Sequence, residues 1–220
     1  MKLVFSPYSH DRRGAFTMTD VIVIVGVIAL LAALIFLPAL ARAKAKSRKI
    51  GCTCNLKQVG LSFRLFATDN SDTFPMNLST NKGGSKEFTE AAELFRHFKS
   101  MSNELSTPRI LACPADTRKP AASFSNLSNL NVSYFVALDS NETMPQTVLA
   151  GDRNLTVNGV QVKSGLLVLT TNSAMGWSTT MHNGSGNATL GDGSVQPLTP
   201  ARLQDQISSM EIATNRLLIP

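Results

Sequence analysis

The sequence predicts an α+β fold in which one long N-terminal helix packs on a small, mainly antiparallel β-sheet head. Three observations support this prediction. Residues 21–41 form an unbroken apolar run, and apolar residues then recur at helical spacing as far as Phe66. The second half of the chain holds short apolar and β-branched segments separated by Gly and Asn. We expect the helix over residues 16–70 and the head over residues 71–220.

The apolar run has the length of a membrane span. Its 21 residues carry no charged or strongly polar side chain, and at ~1.5 Å per residue they span about 30 Å, the thickness of a bilayer's hydrocarbon core. A cleaved secretory signal has a shorter apolar core and a small-residue cleavage site, whereas here the helix-favouring residues 42–46 follow. A buried helix of a soluble protein usually has a polar face. We therefore predict a transmembrane segment at about residues 21–41.

The charge is concentrated next to this segment. The chain has 220 residues, 43% hydrophobic and 16% charged, which is too apolar for a disordered tail. Its net charge is +6, and residues 1–50 alone hold eight basic and two acidic side chains. The 13 basic and 13 acidic side chains of residues 51–220 cancel. A neutral head lacks the basic surface that binds phosphates, so no nucleic-acid partner is predicted for it.

The helix is expected to continue beyond the membrane. Apolar residues follow the span at alternating spacings of four and three, which places them on one helix face. These residues are Cys52, Leu56, Val59, Phe63 and Phe66. We expect one helix from Thr17 to Thr68, with its second half against the head and a kink or local opening at Pro38.

The head is expected to consist mainly of short strands. The predicted strands cover residues 132–138, 147–150, 155–157, 160–162, 166–170, 188–190 and 194–198. Asn158 and Gly159 have the composition of a two-residue type I′ hairpin turn. Thr199 followed by Pro200 predicts the start of a closing helix that ends near Ser209. Residues 71–130 are expected to hold one more amphipathic helix near residues 89–100, but their connection to the sheet is not predicted.

The segment before the apolar run has a basic pair, then a phenylalanine, then an acid four positions later. The residues are Arg12, Arg13, Phe16 and Asp20. This arrangement resembles the processing site of type IV pilin-like proteins, including the pseudopilins of type II secretion. The resemblance implies that residues 1–15 are a leader, that prepilin peptidase cuts between Ala15 and Phe16, and that the new amine of Phe16 is methylated. Ala15 stands where that family more often has glycine, and Gly14 offers an alternative cut.

Asp20 lies at the edge of the apolar run, where a carboxylate needs a partner. An acidic side chain costs about 2.5–3.5 kcal/mol at the centre of a span and less at its edge. In the filaments that the resemblance implies, the N-terminal amine of an adjacent subunit is that partner. The family more often has glutamate here. Asp20 also suits a helix start, where the macrodipole favours an acid, and the two roles are compatible.

The head contains further stretches similar to a pseudopilin-like subfamily that begins with the same N-terminal segment. The most specific is an H-x9-D-G signature formed by His182, Asp192 and Gly193. From the residues alone, Asp192 and Gly193 predict a tight turn in which Asp192 bonds its own backbone. The alternative is a binding site in which His182 lies within reach of Asp192 or Asp152.

Two kinds of chemistry are considered for these residues. Loops around Asp152 and Asp192 are rich in oxygen ligands, which suit a structural calcium ion. A hydrolase built from His182, Asp192 and Ser185 is the other hypothesis, although the sequence has no nucleophile-elbow, HExxH or P-loop pattern. The resemblance implies a filament subunit without an established catalytic role. We therefore predict no enzyme activity and no firm cofactor.

The cysteines are Cys52, Cys54 and Cys113, and they do not match a zinc site, which needs four ligands. The resemblance implies a disulfide between Cys52 and Cys113, which requires an oxidising compartment. Cys54 is then either the odd thiol or the actual disulfide partner. Three reduced, buried thiols are a further alternative.

These features predict a single-pass protein of the bacterial inner membrane whose head lies in the periplasm or at the cell surface. Counting Lys and Arg alone favours the opposite orientation, but the segment before the span is too short to be a domain. The expected function is that of a structural subunit of a type II secretion pseudopilus or a type IV pilus-like filament. Its expected partners are other pilin-like subunits, prepilin peptidase, an inner-membrane assembly platform and membrane lipid. The alternative is a non-polymerising, membrane-anchored module that binds a glycan or an ion.

Overall fold

A computed structural model describes residues 17–170, 173–210 and 214–220. The chain divides into two compact units, residues 1–44 and residues 45–220. One helix, α1, spans Met18–Asp69 and contributes to both units. The second unit therefore begins within the helix, and it includes the helical residues 45–69 in addition to the head expected from residue 71 onward.

The first unit contains the apolar half of α1. All of its described residues are exposed except Ala32, which is half-buried. The helix continues through Pro38, and its most apolar 18-residue window has a mean hydropathy of 3.1 with no buried residue. By length and composition it is a candidate membrane span. The prediction of a long apolar N-terminal helix is confirmed.

The second unit contains short helices and nine strands within the described residues. The helices are α2 (Phe95–Ser100), α3 (Ser102–Leu105), α4 (Thr179–His182) and α5 (Pro200–Ser208). The strands are β1 (Tyr134–Ala137), β2 (Val148–Asp152), β3 (Leu155–Val157), β4 (Val160–Gln161), β5 (Gly165–Thr170), β6 (Met175–Trp177), β7 (Gly186–Leu190), β8 (Val195–Leu198) and β9 (Thr214–Ile219).

The strands form two sheets. A six-stranded sheet has the order β5-β9-β1-β2-β7-β8, and a three-stranded sheet has the order β4-β3-β6. Neighbouring strands are antiparallel throughout. The α+β class with mainly antiparallel sheets is therefore confirmed. The prediction of one sheet is wrong, because the β3–β4 hairpin pairs with β6, a strand that the sequence did not predict.

The central strands β1, β2 and β7 of the six-stranded sheet are buried on both faces. Along β1, Tyr134 and Val136 belong to one hydrophobic core, while Phe135 and Ala137 belong to the other. This alternation follows from the two-residue period of a strand. The first core contains the predicted stripe of α1, from Cys52 to Phe66, together with apolar residues of segment 71–130. The second core contains residues of α5 and of the three-stranded sheet.

The predicted turns and caps are present. Asn158 and Gly159 have φ angles of 51° and 78°, as a type I′ hairpin turn requires. The hydroxyl of Thr199 accepts a hydrogen bond from the amide of Arg202, and Pro200 is the first residue of α5. Both signals depend on neighbouring residues alone, which is why the sequence predicts them.

The predicted helix over residues 89–100 begins only at Phe95. Ala92 adopts a left-handed φ of 53°, which a continuous helix excludes. Asn129 supports the break, because its side chain donates to the carbonyl of Ala92 at 2.8 Å and accepts from the amide of Phe95 at 3.0 Å. A contact between distant residues has thus overridden the local helical pattern.

Candidate functional site

The predicted processing residues Gly14, Ala15 and Phe16 lie outside the described residues, and the described chain begins at Thr17. Asp20 lies in the first turn of α1 and forms a reciprocal cap with Thr17. Its Oδ2 accepts from the Thr17 amide at 2.9 Å and from the Thr17 hydroxyl at 2.8 Å, while the Asp20 amide donates back at 3.3 Å. This is the geometry of a capping box. Asp20 therefore takes part in capping the N-terminus of α1.

A disulfide joins Cys52 of α1 to Cys113 of the head, the pair that the resemblance implied. Both residues are buried, and their bond ties the helix to the loop that follows residues Pro108–Leu111. Cys54 is exposed and free. The alternative pairing through Cys54 and the alternative of three reduced thiols are not the arrangement in this structure.

A buried polar cluster surrounds this disulfide. Asp152 ends β2 and is fully buried, and its Oδ2 accepts from the amide and the side-chain nitrogen of Asn187 at 2.7 and 2.9 Å. Nε2 of His182 lies 3.3 Å from the same Oδ2 and 3.5 Å from Sγ of Cys113. A carboxylate oxygen accepts hydrogen bonds, so a hydrogen bond between His182 and Asp152 requires the proton on Nε2. Oδ1 of Asp152 has no hydrogen-bond partner among the described residues.

Neighbouring polar residues attach this cluster to α1. The hydroxyl of Thr53 donates to Oδ1 of Asn187 at 3.3 Å, and Nζ of Lys49 donates to the hydroxyl of Ser185 at 3.2 Å. The hydroxyl of Ser185 in turn donates to the carbonyl of His182 at 2.7 Å. Asp152, His182 and Asn187 are therefore held from the sheet side and from the helix side.

Burial and ion pairing determine the ionisation states of two residues near the cluster, Tyr134 and Asp116. Tyr134 lies directly opposite Asp152 on β1, and burial, reinforced by the Asp152 charge, raises the pKa of its hydroxyl well above the usual value. Arg153 donates to both carboxylate oxygens of Asp116 at 2.7 Å. Burial alone raises the pKa of Asp116, but the Arg153 hydrogen bonds and charge outweigh it and hold the pKa at about 2. Tyr134 is thus neutral and Asp116 ionised near neutral pH.

The two ends of the H-x9-D-G signature lie at opposite ends of β7. His182 and Asp152 are beside Asn187, whereas Asp192 and Gly193 form the turn after Leu190. Five strand residues separate these positions by about 17 Å. A hydrolase triad of His182, Asp192 and Ser185 is therefore not assembled. Asp152 and Asp192 also lie too far apart to bind the same calcium ion.

Asp192 and Gly193 instead connect the sheet to α1. Oδ1 of Asp192 accepts from the amide of Ser194 at 2.8 Å, the turn-stabilising bond that the sequence predicted. Gly193 has a φ of 79°, and a Cβ on it would meet the Arg64 side chain at 3.2 Å. Arg64 donates to the carbonyl of Asp192 at 2.9 Å. This end of the signature has a structural role.

An open groove of about 470 Å³ lies beside the other end. Its lining includes His182, Met181 and Asn183 together with Lys46, Arg48 and Lys49 of α1. His182 lies along the groove, although its own side chain is almost fully buried.

Sequence reasoning identified Asp152 and His182 but missed Asn187 and the lysines that border the groove. One signal was available, because Asp152 and Asn187 are polar residues next to apolar strand residues. Buried polar side chains of this kind need partners. Which residue supplies the partner depends on the pairing of β2 with β7, which sequence spacing does not determine.

No protein-family model, curated protein or solved structure matches this chain.

Proposed function

We propose that this chain is a membrane-anchored structural subunit of a pilin-like filament, either a type II secretion pseudopilus or a type IV pilus-like fibre. It resides in the bacterial inner membrane as a single-pass protein. Prepilin peptidase removes residues 1–15 and the new N-terminal amine of Phe16 is methylated. An inner-membrane assembly platform then moves the subunit into the filament, where its head faces the periplasm or the cell surface.

The exposed apolar half of α1 carries this proposal. Its large side chains from Val21 to Leu40 are between 46% and 70% exposed within the chain itself. The head, by contrast, buries most of its apolar residues in two cores. Exposed apolar surface of this extent requires a partner outside the chain. Lipid supplies that partner before assembly, and the apolar helices of other subunits supply it in a filament.

The position of Asp20 supports the same proposal. The cap to Thr17 uses Oδ2, so an ion pair between Oδ1 and the N-terminal amine of a neighbouring subunit is compatible with it. Such an ion pair sets the position of one helix against the next. Subunits that pack head-to-tail without closing a ring form open filaments.

Mass spectrometry of the N-terminus tests the processing step. In cells with prepilin peptidase, the membrane-bound protein should begin at a monomethylated Phe16. In cells without the peptidase, the same protein should keep Met1. Retention of Met1 in both strains would favour the non-polymerising anchor that binds a glycan or an ion.

Two substitutions separate the two roles of Asp20. Asp20→Asn keeps an oxygen that accepts from Thr17 but removes the charge, whereas Thr17→Ala removes the capping hydroxyl and keeps the charge. We expect Asp20→Asn to abolish cross-linking between subunits in membranes while Thr17→Ala retains it. Equal assembly by Asp20→Asn and the unmodified chain would reject the ion-pair role.

A further inference from the structure

The two disulfide cysteines and His182 form a buried cluster of three metal-ligand residues, and Asp152 lies beside it. Sγ of Cys52, Sγ of Cys113 and Nε2 of His182 all lie within 4.8 Å of one another, and all three residues are buried. The Asp152 carboxylate contacts the same Nε2. We propose that, when the disulfide is reduced, Cys52, Cys113, His182 and Asp152 bind one Zn²⁺ ion. This proposal does not depend on filament assembly.

The distances fit zinc coordination. With Zn–S near 2.3 Å and Zn–N and Zn–O near 2.0–2.1 Å, tetrahedral angles place sulfur and nitrogen about 3.5 Å apart and nitrogen and oxygen about 3.3 Å apart. The structure has 3.5 Å between Sγ of Cys113 and Nε2 of His182. Nε2 also lies 3.3 Å from Oδ2 of Asp152, which places that carboxylate beside an ion bound to His182. Reduction frees the two sulfurs to separate to the distance that two zinc ligands require.

The surroundings of Asp152 supply an independent reason to expect a cation. Its Oδ1 is buried and has no hydrogen-bond partner among the described residues. A buried carboxylate oxygen without a partner is costly, and coordination of the ion through Oδ1 satisfies it while Oδ2 keeps its bonds to Asn187. Asn187 meanwhile holds the carboxylate in place with two hydrogen bonds. Metal-binding carboxylates are commonly oriented by hydrogen bonds of this kind.

The ligand types select zinc. Two thiolates, one imidazole and one carboxylate combine soft and hard donors, which suits Zn²⁺ better than calcium or magnesium. The sequence argued against zinc because its three cysteines do not match a site that needs four ligands. In the structure Cys54 is exposed and is not part of the cluster. His182 and Asp152 complete the ligand set through the fold.

The chemistry couples metal binding to the redox state. A phosphine and one water convert the disulfide to two thiols, and the phosphine becomes its oxide. Zn²⁺ then replaces the two thiol protons, which are released to solvent. The disulfide and the zinc site use the same sulfurs, so each state excludes the other. An exported, oxidised head carries the disulfide, and a reduced head binds the metal.

Metal titration of the full-length chain in detergent tests this proposal. After reduction with a phosphine and its removal under inert gas, the protein should bind one equivalent of Co²⁺ with the visible absorption of a tetrahedral site and a thiolate-to-metal band. Zn²⁺ should displace the Co²⁺. The oxidised chain should show neither band. A reduced chain without these bands, or an oxidised chain with them, would overturn the proposal.

Variants identify the ligands. Asp152→Asn and His182→Gln should each weaken zinc binding about tenfold or more, and Cys113→Ser should remove much of the thiolate-to-metal band. Cys54→Ser is the matched control and should bind like the unmodified chain. Unchanged affinity in both Asp152→Asn and His182→Gln contradicts the assignment.

Thermal unfolding of the unmodified chain tests the site without any substitution, so the result does not depend on whether a variant folds. Zn²⁺ that binds only the native state raises the unfolding midpoint of the reduced, unmodified chain. Absence of any shift at saturating Zn²⁺ would also overturn the site.

Discussion

The two halves of α1 differ in how they distribute their apolar residues, although they form one helix. Among residues 18–44 the apolar side chains cover every side of the helix and none is buried. Among residues 45–69 the buried positions recur every three or four residues, from Cys52 through Leu56, Val59 and Phe63. The first half has the pattern of a helix surrounded by apolar material, and the second has that of a helix on the surface of a core.

This difference shows where the stability of each half originates. The second half shares a core with the sheet, and Phe63 packs edge-to-face on Phe74 and Phe98 with ring centroids 5.9 and 6.1 Å apart. The first half gains nothing comparable from its own chain. Substitutions in the head should therefore change its unfolding free energy, whereas matched substitutions before residue 45 should leave that energy unchanged. Fluorescence of Trp177, the single tryptophan, reports on the head alone.

The largest effect is expected at the disulfide. Cys113→Ala opens a loop of 61 residues, and the chain-entropy model assigns such a crosslink about 4 kcal/mol. In oxidising buffer without metal, urea unfolding followed through Trp177 should show that loss. Cys54→Ser, which alters an exposed free thiol, should leave the midpoint unchanged. A loss of less than about 1 kcal/mol for Cys113→Ala would mean that the crosslink constrains the unfolded head little.

Acid should weaken the head and spare the apolar half of α1, which has no titratable side chain between Asp20 and Arg42. His97 is fully buried, and burial lowers its pKa from 6.5 to about 4. Its Nδ1 lies 2.7 Å from the hydroxyl of Ser85, while Nε2 has no hydrogen-bond partner among the described residues. Neutral His97 therefore belongs to the folded state, whereas the unfolded chain takes up a proton below about pH 6.5.

The direction in which the unfolding free energy changes with pH follows from proton uptake. The unfolded state binds more protons between pH 6.5 and 4, so the His97 contribution is fully present above pH 6.5 and is lost as the pH falls toward 4. The loss should reach about 3 kcal/mol in urea titrations followed through Trp177. His97→Gln should remove most of this pH dependence, and Lys99→Gln, an exposed change on the same helix, should keep it. An unchanged slope in His97→Gln would place the acid sensitivity elsewhere.

Much of the fold was predictable because its signals are local. The period of the α1 stripe, the Asn158–Gly159 turn and the Thr199 cap each depend on a few neighbouring residues. The strands β6 and β9 were missed, since Met175–Trp177 is too short to show a period and Thr214–Ile219 contains polar residues within the strand. Both strands are defined by their partners, β3 for β6 and β1 and β5 for β9.

The candidate site was predictable only in part for the same reason. The sequence suggested that His182 approaches either Asp192 or Asp152, and the structure selects Asp152. The choice depends on the register that places Gly151 opposite Ala188 and brings Asn187 beside Asp152. Spacing along the chain favours the nearer acid, Asp192, but an extended β7 carries that residue away from His182. Register is a property of the folded sheet, so sequence spacing alone does not supply it.

The smallest of these effects tests the contrast within α1 by one substitution in two places. A Cβ on Gly60 would collide with the hydroxyl of Thr189 and lie 3.3 Å from Cα of Gly193. Gly60→Ala should therefore force the β7–β8 turn away from the helix and destabilise the head by about 2 kcal/mol. At Gly26 a Cβ meets nothing within 4 Å. Gly26→Ala should leave the Trp177 unfolding curve unchanged and keep the helical circular-dichroism signal, because alanine favours a helix over glycine. Equal effects at the two sites would show that the helix responds as one element. The conclusion that only the second half of α1 contributes to the stability of the head would then be wrong.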